Sequence, residues 1–288
     1  MKKEIGYKYK MFIKIIRKFA KPFIGTHIGR FWPVKMGYRT ILYFLNPIEV
    51  LHGHKMFINP KDDALGLLVD VNFEKPITQL LEKTIKAGDT VLDIGAHIGY
   101  HTLTMAKLAG PGGKVYAFEP DPVNFALLKK NIEVNGYQNV VLAQKAVSNK
   151  NGQEKLYIGK KSNALNRIYD SRHGQYSINI ESVKLDDFIK GRVDLIKIDI
   201  NGGEGIAFQG MQSVLRRTSK IILEFYPVFA REGGSDPMHF LNTLQQNGFK
   251  LSQIKGKELE YVNDLKPFLE ELKGGSTLFC ENLDKELK

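Results

Sequence analysis

Two short segments carry residues whose types and spacing could do chemistry. The first is Asp93-Ile-Gly95-Ala-His97-Ile-Gly99, which begins at the end of the strand-like run Thr90–Ile94. Gly95 permits a sharp turn and the close approach of a ligand, and Gly99 lets a following helix begin beside the strand. A helix N-terminus there offers N–H groups and a partial positive charge. A dinucleotide fingerprint would be Gly-x-Gly-x-x-Gly, but the residue two after Gly95 is His97. No Gly-Lys-Ser/Thr phosphate loop is present either. Asp93, standing before the turn, suits a cationic amine better than a pyrophosphate. The second segment is Val115-Tyr-Ala-Phe-Glu119-Pro-Asp121. It places an acid at a strand end about 20 residues after the loop, where a carboxylate can accept both ribose hydroxyls. The pair of segments points to a nucleoside ligand. Taken singly, each has a plainer reading, as a tight strand–helix turn and as a solvated carboxylate.

These segments need strands and helices in alternation to position them, and the pattern supplies this from about residue 76. Strands are expected at Thr90–Ile94, Lys114–Phe118, Val140–Val147, Asp194–Ile200 and Lys220–Phe225, with late strands at Phe249–Ile254 and Thr277–Glu281. Helices are expected at Gly99–Ala109, Pro122–Asn135, Ile206–Arg217 and Met238–Asn247. Such alternation implies right-handed crossovers and a largely parallel sheet with helices on both faces. Ligands then bind beyond the carboxyl ends of the strands. Residues 152–186 break the rhythm. Glu154–Ile158 and Ser177–Lys184 read as strands joined by the polar loop Gly159–Gln175, an insertion placed to cover the ligand face.

The chain has 288 residues, 43% of them hydrophobic and 25% charged, enough for one sizeable core and a small appendage. A single cysteine, Cys280, excludes an internal disulfide and a cysteine-rich metal site, and suits a reducing, cytoplasmic setting. No metal is expected. The net charge of +11 is concentrated: residues 1–60 hold twelve basic residues against Glu4 and Glu49, a net of +10. We therefore divide the chain into a basic N-terminal extension, 1–60, and a main domain, 61–288. On a helix from Lys10 to Lys21, Phe12, Ile15, Ile16 and Phe19 share one face and Lys10, Lys14, Arg17, Lys18 and Lys21 the other, until Pro22 ends it. A basic amphipathic segment over residues 8–23 has the pattern of one lying on an anionic membrane surface, peripheral at the inner face. The same face could instead pack on the protein's own core. Lysines interrupt every apolar run there well short of a membrane span.

From Val91 to Thr102, and again in Ala117-Phe-Glu-Pro-Asp121 and Ala146-Val-Ser148, the sequence resembles a class I S-adenosylmethionine-dependent methyltransferase. Val183-Lys-Leu-Asp-Asp-Phe188 and Asp194-Leu-Ile-Lys-Ile-Asp-Ile-Asn-Gly-Gly-Glu204 narrow the resemblance to the FkbM family, over roughly residues 65–282. The resemblance implies an α/β fold, a Rossmann-like three-layer α/β/α methyltransferase sheet, mostly parallel with an antiparallel last strand. It implies S-adenosyl-L-methionine as cofactor. By position, Asp93, Gly95 and Gly99 would line its methionine part, and Glu74, His97, Ile98 and Tyr100 would also bind the cofactor. Glu119 would hold the ribose, Pro120 and Asn124 would also bind the cofactor, and Ala146 and Val147, at the end of the third strand, would flank the adenine. Asp199 would end the fourth strand, facing the methyl group. The family usually has Asn where this chain has His97, and Asp-Val-Glu-Gly where it has Asp199-Ile-Asn201-Gly202.

Methyl transfer from a sulfonium is an in-line displacement, which an enzyme assists by positioning the nucleophile and excluding water. A sugar hydroxyl gains from a base beside it. Asp199 and Glu224 are the expected catalytic carboxylates, with His97 and His173 as weaker choices; Asp199 could equally orient the cofactor's ammonium. The expected activity is O-methylation of a sugar hydroxyl on a glycan, glycolipid or other small-molecule acceptor. The alternatives are an RNA methyltransferase using the basic arm, for which no Asn/Asp-Pro-Pro-Tyr/Phe motif follows the fourth strand, and a non-catalytic nucleoside-binding protein.

Overall fold

The computed structural model describes residues 48–49, 51–59, 74–159, 163–170, 174–256 and 258–282. The amphipathic segment 8–23 and His173 lie outside the described residues. The chain divides into two compact units, Met1–Lys75 and Pro76–Lys288. In the first, β1 (Ile48–Glu49) and β2 (Lys55–Met56) pair antiparallel, and Met56 and Ile58 are buried.

The second unit begins within α1 (Lys75–Thr84) and then alternates. The order is β3 (Thr90–Ile94), α2 (Tyr100–Ala109), β4 (Lys114–Phe118), α3 (Pro122–Asn135) and β5 (Val140–Ala143). After an excursion come β9 (Val193–Ile198), α5 (Glu204–Gln209), α6 (Gln212–Arg216), β10 (Thr218–Phe225), α7 (Pro227–Glu232) and α8 (Pro237–Gln246). β11 (Lys250–Lys255), β12 (Glu258–Tyr261), α9 (Leu265–Glu271) and β13 (Ser276–Glu281) complete it. The excursion holds β6 (Ala146–Val147), β7 (Gly152–Gly159), β8 (Gly174–Val183) and α4 (Leu185–Phe188).

The large sheet has the order β12-β11-β13-β10-β9-β3-β4-β5. Strands β10, β9, β3, β4 and β5 pair parallel, and β13 runs antiparallel between β10 and β11. The central strands β3, β9 and β10 are largely apolar because both their faces are covered. Along them the side chains alternate between two cores. Leu92, Ile196, Ile221 and Leu278 join Phe208, Leu215 and Leu241 from α5, α6 and α8 on one face. Val91, Leu195, Ile222 and Phe279 join Leu81 of α1 and Met105 of α2 on the other. Three layers follow directly, with the antiparallel last strand the resemblance implied.

Two boundaries differ from the expected ones. The run Val140–Val147 is not one strand. β5 leaves the large sheet at Ala143, and Ala146–Val147 pair instead with Ser182 and Val183 of β8 in a separate three-stranded sheet, β6-β8-β7. The stretch Ile206–Arg217 is two helices, because Gly210 sits against the Ser148 carbonyl, where a Cβ would come within 1.9 Å of the oxygen. Asp186 then starts the second helix from outside it, its carboxylate accepting from Ser213 N (3.1 Å) and Val214 N (2.8 Å).

Candidate functional site

The sheet order reverses between β3, which leads outward to β4 and β5, and β9, which returns on its other side. A crevice at the carboxyl ends is expected at this switch, and the residues singled out from the sequence converge on it. The turn after β3 is held by backbone: Gly95 N and Ala96 N donate to Phe118 O, and Asp199 N donates to Ile94 O. Gly95 has φ +82°, and a Cβ there would stand 2.0 Å from the Asp199 carbonyl oxygen. The glycine is therefore required first by the close packing of two strand ends. Gly99 has φ +93° and starts α2 with no side-chain cap, leaving the positive end of that helix facing the turn.

Glu119 is 6% exposed. One carboxylate oxygen accepts from His97 N at 2.8 Å and the other from Asp121 N at 3.0 Å. Burial pushes its carboxyl up to about 7, against the lowering effect of those two N–H donors and of the Asn124 side chain. Asn124, buried in the first turn of α3, thus acts on Glu119 itself. Beyond these three donors the carboxylate retains acceptor capacity for a ribose hydroxyl. Pro120 is half-buried beside it. His97 has φ 51°, a left-handed conformation that Asn and His tolerate better than most residues. Its N–H still serves Glu119, so exchanging one residue for the other preserves the backbone function.

Asp93 is directed into the protein. It is 1% exposed; one oxygen accepts from Thr102 Oγ1 at 2.6 Å, and the other lies 3.7 Å from Lys197 Nζ. Lys197 pairs with Asp93 across β3 and β9, and its ammonium also lies 3.8 Å from Asp199 Oδ2. Asp199 is about one-third exposed while Lys197 is buried. A buried cation thus ties the floor of the turn to the carboxylate at its rim. The alternation of β10 places Glu224 on the same face as Ile222, one step beyond the Leu223–Ile198 pair and so next in line to Asp199. Ile98 is buried, its carbonyl accepting from Asn131 Nδ2, and Tyr100 is half-buried against His101.

The placement of Ala146 and Val147 at the end of the third strand requires a correction. Both are buried, in β6, within the small sheet. The strand end beside Glu119 is Ala143, whose carbonyl accepts from Glu119 N at 3.1 Å. The chain leaves the large sheet there because Ala146 and Val147 find a parallel partner in β8. Glu74 belongs to the first unit, one residue before α1, with φ 43°.

Sequence reasoning passed over Lys197 and Glu204. Glu204 is buried at the start of α5, and one oxygen accepts from Ile200 N (3.3 Å) and Gly202 N (3.1 Å), shaping the turn after Asp199. Burial raises its carboxyl to about 7, partly offset by backbone N–H donors and reinforced by Asp199. An acid opening a helix after Gly-Gly was a signal for this role. A lysine inside an otherwise apolar buried strand was the signal for Lys197.

The donor set fits S-adenosyl-L-methionine: a buried acceptor for ribose hydroxyl at Glu119 after β4, an uncapped helix N-terminus after β3 for the amino-acid carboxylate, and a one-third exposed acid, Asp199, after β9. Residues 93–251, more than half of the chain, match the family model for the methyltransferase FkbM domain. A protein-L-isoaspartate O-methyltransferase of Aeropyrum pernix is 34% identical over 104 residues, which is 36% of this chain and 35% of that protein. The chain thus spans about a third of the length of that relative. The hexuronic acid methyltransferase of Haloferax volcanii is 23% identical over 182 residues, 62% of this chain and 70% of its own. A crystal structure of the methyltransferase FkbM from Methylobacillus flagellatus aligns with a TM-score of 0.44 at 12% identity, covering 85% of this chain and 58% of that one.

Proposed function

Because this chain belongs to the FkbM methyltransferase family, whose cofactor is S-adenosyl-L-methionine, we propose that it methylates a hydroxyl oxygen of a sugar-containing acceptor. The observation that carries the reading is Asp199: a partly exposed carboxylate at the switch point, ion-paired to buried Lys197 and bonded through its own N–H to the strand that opens the cofactor turn. The likeness to a hexuronic acid methyltransferase supports a sugar acceptor.

When bound, S-adenosyl-L-methionine supplies an electrophilic methyl group on a sulfonium. The chain's residues do the rest. Glu119 would accept from ribose hydroxyl, and the uncapped start of α2 would receive the amino-acid carboxylate. Gly95 and Gly99 shape the turn, and Asp93 fixes it from beneath through Thr102. Asp199 accepts the proton of the acceptor hydroxyl and aims its oxygen. Lys197 holds Asp199 in place, with Glu224 the neighbouring acid.

Calorimetry with the product S-adenosylhomocysteine and turnover on hexuronate- and hexose-terminated oligosaccharides test this. Wild-type protein should bind and turn over, Glu119→Ala should lose binding, and Asp199→Asn should bind normally while kcat falls about 100-fold. Binding without turnover on any sugar, or full activity in Asp199→Asn, would refute the reading.

A further inference from the structure

The loop between β7 and β8 is tied at two places to the carboxyl ends of the large sheet. At the first, Asn166 Nδ2 donates to Asp121 Oδ2 at 2.7 Å, just after β4, while Asn166 Oδ1 accepts from Gly159 N at 3.0 Å. The other Asp121 oxygen caps α3, accepting from Val123 N and Asn124 N. At the second, just after β9, Asn201 Nδ2 donates to Ala164 O at 2.8 Å and to Asn166 O at 3.4 Å. Tyr169 closes the return path, its hydroxyl donating to Asn201 O at 2.7 Å. Buried Arg167 seats the same segment, with an ion pair to Glu232 (2.8 Å) and its guanidinium 4.0 Å from the Phe229 ring. Strands β4 and β9 flank β3. A segment fastened after both of them crosses the end of β3, where the Gly95–Gly99 turn lies.

We propose that Asn201 is a positioning residue that clamps residues 163–169 across the ligand crevice as a fixed wall of the acceptor site; its catalytic consequence rests on the methyl-transfer reading above. The side-chain amide supplies the donors this clamp uses. Asn201 stands at φ 53°, which asparagine tolerates, and it presents donors to two backbone carbonyls. A carboxylate of the same shape has no donor and would set charge against both oxygens. The wall then fixes which acceptors reach Asp199, two residues away, while cofactor contacts at Glu119 and the α2 terminus stay independent of it.

Three variants separate these roles. Asn201→Asp keeps the shape and removes the donors. Asn201→Gly keeps the left-handed backbone and removes the side chain. Tyr169→Phe removes the hydroxyl from the loop side. Hydrogen exchange of the backbone amides of 163–169, the affinity for S-adenosylhomocysteine, and KM and kcat for a hexuronate-terminated oligosaccharide are compared with wild type. In all three variants, exchange in 163–169 should rise about tenfold and acceptor KM about tenfold, with product affinity within about twofold and kcat moving less than KM. Unchanged exchange in Asn201→Asp and Asn201→Gly overturns the clamp. So does a loss of product affinity as large as the rise in KM, which would assign Asn201 to the cofactor turn. Wild-type protein that does not turn over the hexuronate acceptor faults the acceptor reading alone, because exchange and product affinity decide the clamp without turnover.

Discussion

At Glu119 burial holds a carboxyl at about 7 that an unfolded chain would hold near the ordinary carboxylate value of 4.5. Such a raised group stabilises the fold below its unfolded pKa, and that contribution is lost as pH rises through the folded one. Ribose hydroxyls favour the ionised form, because they donate to it. Cofactor binding is therefore linked to release of a proton from Glu119. The affinity for S-adenosylhomocysteine should weaken as pH falls from about 8 to about 6, approaching tenfold per unit at the acid end. The binding enthalpy near pH 6 should also vary with the ionisation enthalpy of the buffer. Glu204 also sits at about 7 but is committed to the turn. A pH-independent affinity would place the ribose elsewhere. The acid itself was legible in the sequence from its position after an apolar strand. Its raised pKa was not, because that comes from burial in the folded chain. Asp93 was legible as part of the motif, but its direction was not: Lys197, over 100 positions later, turns it inward.

At the scale of elements, most strands were readable because both-face burial leaves continuous apolar runs, and the helices because Asp or Gly stands at their ends. What stayed hidden was set by contacts between distant segments. The Val140–Val147 run is apolar throughout, yet β8 takes its last two residues into another sheet. The helical stretch after Asp199 breaks because Gly210 meets Ser148. The Leu185-Asp-Asp-Phe188 motif that helped give the family proves to be structural at Asp186. Its carboxylate supplies the N-cap that α6 lacks locally, and its N–H donates to Gly210 O at 3.1 Å. Asp186→Ala should therefore cost about 1–2 kcal/mol of stability, read as a lower Tm, with S-adenosylhomocysteine affinity unchanged. Asp186→Asn, which keeps an acceptor oxygen, should recover most of that loss. A normal Tm in the alanine variant would show that α6 begins without this cap.

For the whole molecule, charge and site occupy different parts of the chain. A net of +10 falls in residues 1–60, leaving the methyltransferase region close to neutral. Among the described residues no helix is long and apolar enough to cross a membrane. We propose that the basic segment 8–23 brings the protein to an anionic membrane surface, where a sugar acceptor carried on a lipid would be presented to the crevice. Each basic residue near such a surface contributes about 1 kcal/mol, and the attraction falls off within a Debye length, about 8 Å at physiological salt. The full chain should therefore sediment with vesicles containing about 30% phosphatidylglycerol and not with neutral ones, and added salt should release it. Replacing Lys10, Lys14, Lys18 and Lys21 by Glu should abolish this partition while leaving S-adenosylhomocysteine affinity intact, since none of the four belongs to the switch-point site. If the variant still sediments, the apolar residues Phe12, Ile15, Ile16 and Phe19 suffice to hold the surface. If the wild type sediments with neither vesicle but shifts RNA in a salt-sensitive way, the charge serves nucleic acid instead.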